Sequence, residues 1–400
     1  MKKANSGILL KLAILLIALQ EVGTGAATPA LGIIQAAMPD VNPILIQNIA
    51  SITYLTIVVG GLAYSWFAKV MRKRVILYIA VFCFIIGGIA PAFLNNIYLI
   101  LFFRAVVGFG VGLMYPMAND YVVDYYDGNE KQKMIGWAFA ISMFGGIIFQ
   151  QLGGSLAAVN WHYTFFSYLL GILFFAIPLL FLPEPPKKAE LVKGTAQEKA
   201  KVPARQWVLS VLNALWNVGF AAVVTNAAII IITEGVGTGG QIGTAFSIMT
   251  LGGFVGGFFF SHIRNFLKGF SLLACYWVVA IGFFVFVYAG TSINMIYFSM
   301  AIIGVGLGFA GSNFFNKTSD IVPYAAAGSA FALLSAFNGL GGFFSPFILT
   351  ALTGAFGMAP GRPSLLLGAI ILSGLGVVAF IFDRATPKIP ESVRPTLSAK

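Results

Sequence analysis

Apolar stretches of membrane length alternate along the chain with short polar breaks. A helix that crosses the hydrocarbon core needs about 20 mainly apolar residues. Twelve stretches reach that length, over 10–36, 44–68, 75–94, 97–122, 134–158, 162–182, 206–233, 240–261, 270–289, 293–316, 326–352 and 364–382. The widest break opens with Pro183-Glu184-Pro185-Pro186 and then turns basic. The pattern predicts an all-α membrane protein with 12 transmembrane helices in two six-helix bundles. Residues 1–182 form one bundle and 206–383 the other, with a cytoplasmic linker at 183–205 and a cytoplasmic tail at 384–400. The linker is expected to be a flexible strap with a short surface helix from Ala189 to Lys201, and the proline-containing tail to be disordered.

The two bundles are copies of one unit. Ala18-Leu19-Gln20-Glu21-Val22-Gly23 returns 196 positions later as Ala214-Leu215-Trp216-Asn217-Val218-Gly219. The same shift carries Gly60-Gly61 onto Gly256-Gly257, and Arg72 onto Lys268. It also carries Gly108, Gly110 and Gly112 onto Gly304, Gly306 and Gly308, and Gly145-Gly146 onto Gly341-Gly342. A parallel repeat of membrane helices places a substrate site between the copies. It also isolates an asymmetry, since Glu21 is matched by the neutral Asn217.

Composition agrees with a bilayer. Hydrophobic residues make up 59% of the chain and charged residues 9%, against roughly 25% charged in a soluble domain. The net charge of +11 is a matter of topology. Lys and Arg gather in alternate loops, around 69–74, 131–133, 187–205, 264–268 and at Lys317, and only Arg362 falls in a loop on the other side. The positive-inside rule then puts both termini in the cytoplasm and leaves no role for nucleic acid. The early run after Lys2-Lys3 is interrupted by Gln20-Glu21 and matches an internal helix, so it is read as a retained helix rather than a signal peptide. Cys83 and Cys275 fall inside predicted helices. Neither metal-ligand spacing nor a nucleophile–base arrangement is present, which points to no cofactor and no enzyme.

Arg104-Ala-Val-Val107-Gly108-Phe-Gly110 resembles the Arg-x-x-Gln-Gly-x-Gly signature of the major facilitator superfamily, with Val107 where Gln is usual. Gly153-Gly154-Ser-Leu156-Ala157 followed by Trp161-His162-Tyr-Thr-Phe165 is similar to that family's Gly-Gly-x-Leu-Ala…Trp-Arg-x-x-Phe, with His162 in place of Arg. The family's loop after helix two carries an Asp that helps latch the halves. Here Gly60-x-Leu62-Ala63 runs into Tyr64-Ser65, and Asp124 is the expected substitute partner for Arg72, as Asp320 is for Lys268. Drug antiporters of the family often have Gly-Pro in helix five; Gln150 occupies the proline position, with Pro346 opposite it in the repeat.

Ionisable groups inside a membrane cost about 2.5–3.5 kcal/mol each on insertion scales and are usually functional. Glu21 and Arg104 are the expected proton-coupling pair, at depths of roughly 15 and 10 Å from their helix ends. A fixed Glu21–Arg104 ion pair is the structural alternative. Asp120, Asp124, Arg72, Asp320 and Lys268 are the expected gating residues, and Gln20, Tyr115, Asn119, Gln150, Trp216, Asn217 and Asn313 line the expected substrate cavity. Helices seven to twelve carry amide and hydroxyl groups but no charge well inside the bilayer, which suits a mostly apolar solute.

The resemblance therefore implies a secondary transporter exporting small hydrophobic compounds against protons, as a monomer in a bacterial-type cytoplasmic membrane. Uptake or exchange of a small organic anion held by Arg104 is the alternative of the same class. A non-transporting membrane receptor is the alternative of another.

Overall fold

The computed structural model describes residues 7–20, 22–126, 128–184, 201–323, 326–358 and 361–386. Every regular element among them is helical. Eleven stretches are long and apolar enough to cross a membrane. They are α1 Ile8–Ala37, α2 Pro43–Val70, α3 Lys73–Phe93, α4 Ile97–Tyr125, α5 Gly128–Ala157, α6 Trp161–Phe181, α7 Ala204–Thr233, α9 Phe260–Tyr288, α10 Ile293–Ile321, α11 Ala327–Ala355 and α12 Arg362–Ala385. The expected stretch 240–261 forms a helix too, α8 Gly239–Phe258, which is rich in glycine and is not among those eleven.

Helix ends follow local chemistry. The first orphan N–H groups of a helix need acceptors, and five of the helices that start on the face away from Gly7 carry them in sequence. Asn42 caps α2 through Ile44 N (2.9 Å), Asn96 caps α4 through Tyr98 N (2.9 Å), and Asn160 caps α6 through His162 N (3.0 Å). Thr238 and Gln241 form a capping box on α8, and Ser292 caps α10. On the other face α3 begins among Arg72, Lys73 and Arg74. We call this second end the basic face.

The repeat in the sequence is repeated in space. A Cβ on Gly60 would lie 2.3 Å from Phe109 O, and one on Gly256 2.2 Å from Val305 O. The same holds for Gly112 against Ile57 O (2.3 Å) and Gly308 against Gly253 O (1.8 Å), and for Gly145 against Leu19 O (1.9 Å) and Gly341 against Ala214 O (2.2 Å). In the first two pairs both partners shift by 196 positions; in the third Gly145 shifts onto Gly341, while the contact moves one residue, since Leu19 falls on Leu215 and not on Ala214. Lipid offers helices little hydrophobic drive to associate, so van der Waals contact must hold them, and a missing Cβ lets backbones touch.

Three expectations change. The stretch 10–36 is no single α-helix. An α-helix Ile8–Leu19 and a second, Leu31–Ala37, flank a 3₁₀ segment Gly23–Ala30 containing Gly23, Gly25 and Pro29. Helix α10 continues to Ile321, just before Pro323, which makes Lys317 a buried helix residue rather than a loop residue. A short helix Phe260–Leu267 precedes the main helix Ser271–Tyr288 of α9. The expected surface helix from Ala189 and the tail beyond Thr386 lie outside the described residues.

Candidate functional site

Arg104 is fully buried in α4. Its Nε donates to Ile49 O of α2 (2.9 Å), Nη1 to the Tyr168 hydroxyl of α6 (2.5 Å), and Nη2 to Thr24 O of α1 (2.6 Å). Thr24 lies in the 3₁₀ segment that breaks α1. In a membrane, loosened backbone survives only where other groups satisfy it. Arg104 and the Gly-rich break in α1 thus explain each other. One guanidinium ties three helices to a fourth.

Gln20 is also fully buried, and neither of its amide atoms has a hydrogen-bond partner among the described residues. Glu21, the expected proton site beside it, lies outside the described residues.

The other expected cavity residues fall into three groups. Trp216, Asn217 and Asn313 are buried inside the second copy. Trp216 donates to Cys275 O (2.9 Å) and stacks on Phe220, Asn217 donates to Asn338 O (2.6 Å), and Asn313 donates to Cys275 Sγ (3.1 Å). Tyr115 and Asn119 are exposed on α4 one turn apart. Gln150 sits between the copies and accepts from Thr250 of α8 (2.8 Å).

The seam between the copies carries further groups that sequence reasoning missed. Thr244, Ser247 and Thr250 recur every three residues on α8 and donate to Gln151 Oε1 (3.1 Å), Ile147 O (3.3 Å) and Gln150 Oε1 (2.8 Å) of α5. Gln47 of α2 donates to Asn226 of α7 (2.9 Å). The three-residue hydroxyl period on α8 was the available signal. Close backbone contacts reinforce the seam, since a Cβ on Gly154 would lie 2.5 Å from Gly239 O and one on Gly32 2.3 Å from Ala228 O. Away from the basic face the seam ends in a cleft of about 590 Å³ lined by Ile33, Trp161, His162, Ile232, Thr238 and Gly239.

The ion pairs between described residues lie within one copy. Lys73, not Arg72, reaches Asp120 and Asp124 (both 2.5 Å), and Tyr64 donates to Asp120 (2.7 Å). Arg264, not Lys268, reaches Asp320 (2.6 Å) and Asn316 (3.3 Å). Under the 196-residue shift Asp120 and Asp124 fall on Asn316 and Asp320, so the acceptors keep their places while the cations come from new ones. Lys73 is oriented by its position at the start of α3, where Glu184 accepts from the N–H groups of Lys73 (2.9 Å) and Arg74 (3.1 Å). Arg264 belongs to the short helix Phe260–Leu267. A buried pair that the sequence did not reveal joins Lys317 of α10 to Asp383 of α12 (2.5 Å).

The profile of the Major Facilitator Superfamily matches residues 12–346. The chain belongs to that superfamily. It is accordingly a multi-pass membrane transporter and not an enzyme. The sialic acid transporter NanX of Escherichia coli (strain K12) is 24% identical over 351 residues, 84% of each protein. The multidrug transporter protein MdtP of Bacillus subtilis (strain 168) is 28% identical over 108 residues, 26% of this chain and 20% of that one. Among solved structures, an inward-facing, unoccupied bacterial homolog of the human lysosomal transporter Spinster superposes with TM-score 0.77 at 16% identity, over 100% of both chains. A D-xylose–proton symporter superposes with TM-score 0.73 at 17% identity, over 96% of this chain and 97% of that one. At such identities the superpositions speak for the fold alone.

Proposed function

We propose that this superfamily member is a proton-coupled exporter of small, mostly apolar organic compounds. It works by alternating access between two six-helix bundles, with α8 as the twelfth span, in a cytoplasmic membrane. The basic face lies inside, where the positive-inside rule puts it.

One observation carries the reading. The described hydrogen bonds between the copies are all neutral, and the described ion pairs all lie within one copy. Such copies can rock as rigid bodies, keeping their internal charge pairs while exchanging a few weak bonds along the seam. Exposure fits the same picture. Leu9 and Leu12 of α1, and Trp207, Val208, Val211 and Leu215 of α7, are exposed toward the basic face, while both helices are buried further on. Those six side chains are apolar, with Tyr115 and Asn119 exposed on α4 as well, and such a surface suits a solute with few hydrogen-bonding groups.

Glu21 is the proposed proton carrier. Its repeat partner Asn217 cannot titrate, and each charge moved through 100 mV supplies about 2.3 kcal/mol. A second reading, transport of a small organic anion, draws on the coverage of the sialic acid transporter. Against it, the Arg104 guanidinium is fully buried and already satisfies three oxygens.

Proteoliposomes with an imposed pH gradient separate these readings. Export predicts that a hydrophobic dye drives proton movement in the opposite direction, and that Glu21→Gln still binds dye but abolishes accumulation. Gradient-driven accumulation by Glu21→Gln would remove Glu21 from the coupling. Co-transport of protons with a carboxylated sugar, and no response to dyes, would favour the anion reading.

A further inference from the structure

We propose that the turn Lys268-Gly269-Phe270, together with Arg384 at the end of α12, seats the phosphate headgroup of an anionic phospholipid in the leaflet of the basic face. Sequence reasoning assigned Lys268 to Asp320, but Arg264 holds that carboxylate. Lys268 is therefore left for another role. Neither Lys268 nor Arg384 has an acidic partner among the described residues, unlike Arg264 and Lys317 nearby.

The site is built rather than incidental. Phe270 and Phe380 stack at 5.1 Å with their planes 10° apart, and the Arg384 guanidinium lies 5.5 and 5.2 Å from their ring centres. Cation–π attraction to two rings holds the guanidinium at this corner, and its planar fork suits two phosphate oxygens. Gly269 makes this possible, since a Cβ there would lie 3.0 Å from Arg384 Cζ. The backbone of Lys268 turns through φ 46°, a left-handed conformation rare for a residue with a side chain. That kink sets the second cation at the same corner.

Depth fits a headgroup. The turn immediately precedes the membrane helix Ser271–Tyr288, and Arg384 is one residue from the end of α12. Both cations thus stand at the ends of two packed spans, where polar headgroups meet the hydrocarbon. Phe266, 87% exposed, and Phe270, 49% exposed, border the same corner and offer apolar surface for acyl chains. A free anion would use the cations but not the rings. A zwitterionic lipid would bring its own positive charge against them.

Native mass spectrometry of the purified protein tests this, with added phosphatidylglycerol, phosphatidylcholine or inorganic phosphate. Phosphatidylglycerol should be retained at concentrations where phosphatidylcholine is lost, and inorganic phosphate should not displace it. The double variant Lys268→Gln/Arg384→Gln should weaken phosphatidylglycerol retention by about tenfold or more, as expected when charge-assisted bonds are lost. Lys131→Gln/Lys133→Gln removes the same charge elsewhere and should leave retention unchanged. Arg384→Lys keeps the charge without the planar fork and should fall between wild type and the double variant. Equal retention of the two lipids by the wild-type protein overturns the proposal, whether or not the variants fold. So does equal loss in both double variants, or displacement by inorganic phosphate.

Discussion

Replacing Gly154 by Ala should push the transporter out of the seam-closed state without unfolding it. The added Cβ would stand 2.5 Å from Gly239 O, 2.7 Å from Gly243 Cα and 2.8 Å from Gly243 N, all backbone atoms of the other copy. Carbon and oxygen do not approach much below about 3.2–3.5 Å without cost, so α5 and α8 must separate by several tenths of an ångström. Overpacking of this size costs about 1–3 kcal/mol. The cost falls only on the closed seam, because these nearest atoms all belong to the second copy. A selective penalty of that size lowers the population of the closed seam relative to the open one by roughly 5- to 150-fold. The matched control is Gly145→Ala, whose Cβ would strike Leu19 O at 1.9 Å within the first copy. That strain is present in both states and should lower thermal stability without moving their ratio. Spin labels on Val159 and Thr291, exposed loop positions of the two copies, would report the distance across the far face by pulsed electron resonance, in a Cys83→Ala/Cys275→Ala background. Gly154→Ala should add or enlarge a long-distance population. If Gly154→Ala folds yet leaves the distances of the parent unchanged, the seam does not gate the far face. An equal distance shift in Gly145→Ala would also defeat the argument.

Tyr168→Phe removes the hydroxyl that accepts from Arg104. A buried guanidinium losing one charge-assisted bond should destabilise the fold by about 1.5–3 kcal/mol, read as a lowered midpoint in thermal unfolding, with Phe84 and Phe149 still packed around the ring. Lys73→Gln should lower stability and speed proteolysis at the basic face, because Asp120 and Asp124 lose their shared cation. Arg72→Gln, an exposed position, should change neither; the reverse ranking would restore the pairing expected from sequence. For orientation, cysteines at Lys133 and Gly361 should react with impermeant thiol reagents from the cytoplasmic and outer sides respectively, and labelling of Lys133 from outside in intact cells would invert the topology.

The sequence by itself determined which stretches are apolar enough to span, that a shift of 196 residues repeats their landmarks, and which loops carry the positive charge. These properties are local or periodic. Twenty apolar residues in lipid have little choice but a helix, since hydrocarbon offers no partner for free backbone groups. The glycine repeat reappears in atomic contacts, with Gly60 on Phe109 and Gly256 on Val305. What only the tertiary structure decided is which polar groups meet. The repeat foretold the positions of Asp124 and Asp320, but not that Lys73 and Arg264 would answer them. Those cations reach from neighbouring helices, and a long flexible side chain selects its partner by distance across packing. The same holds for Arg104. Its burial was foreseeable from its place in an apolar run, yet its partners are two carbonyls and a phenol from three other helices. A backbone carbonyl looks alike at every position in a sequence. Only the break in α1 and the crossing of α2 and α6 made Thr24, Ile49 and Tyr168 the ones within reach.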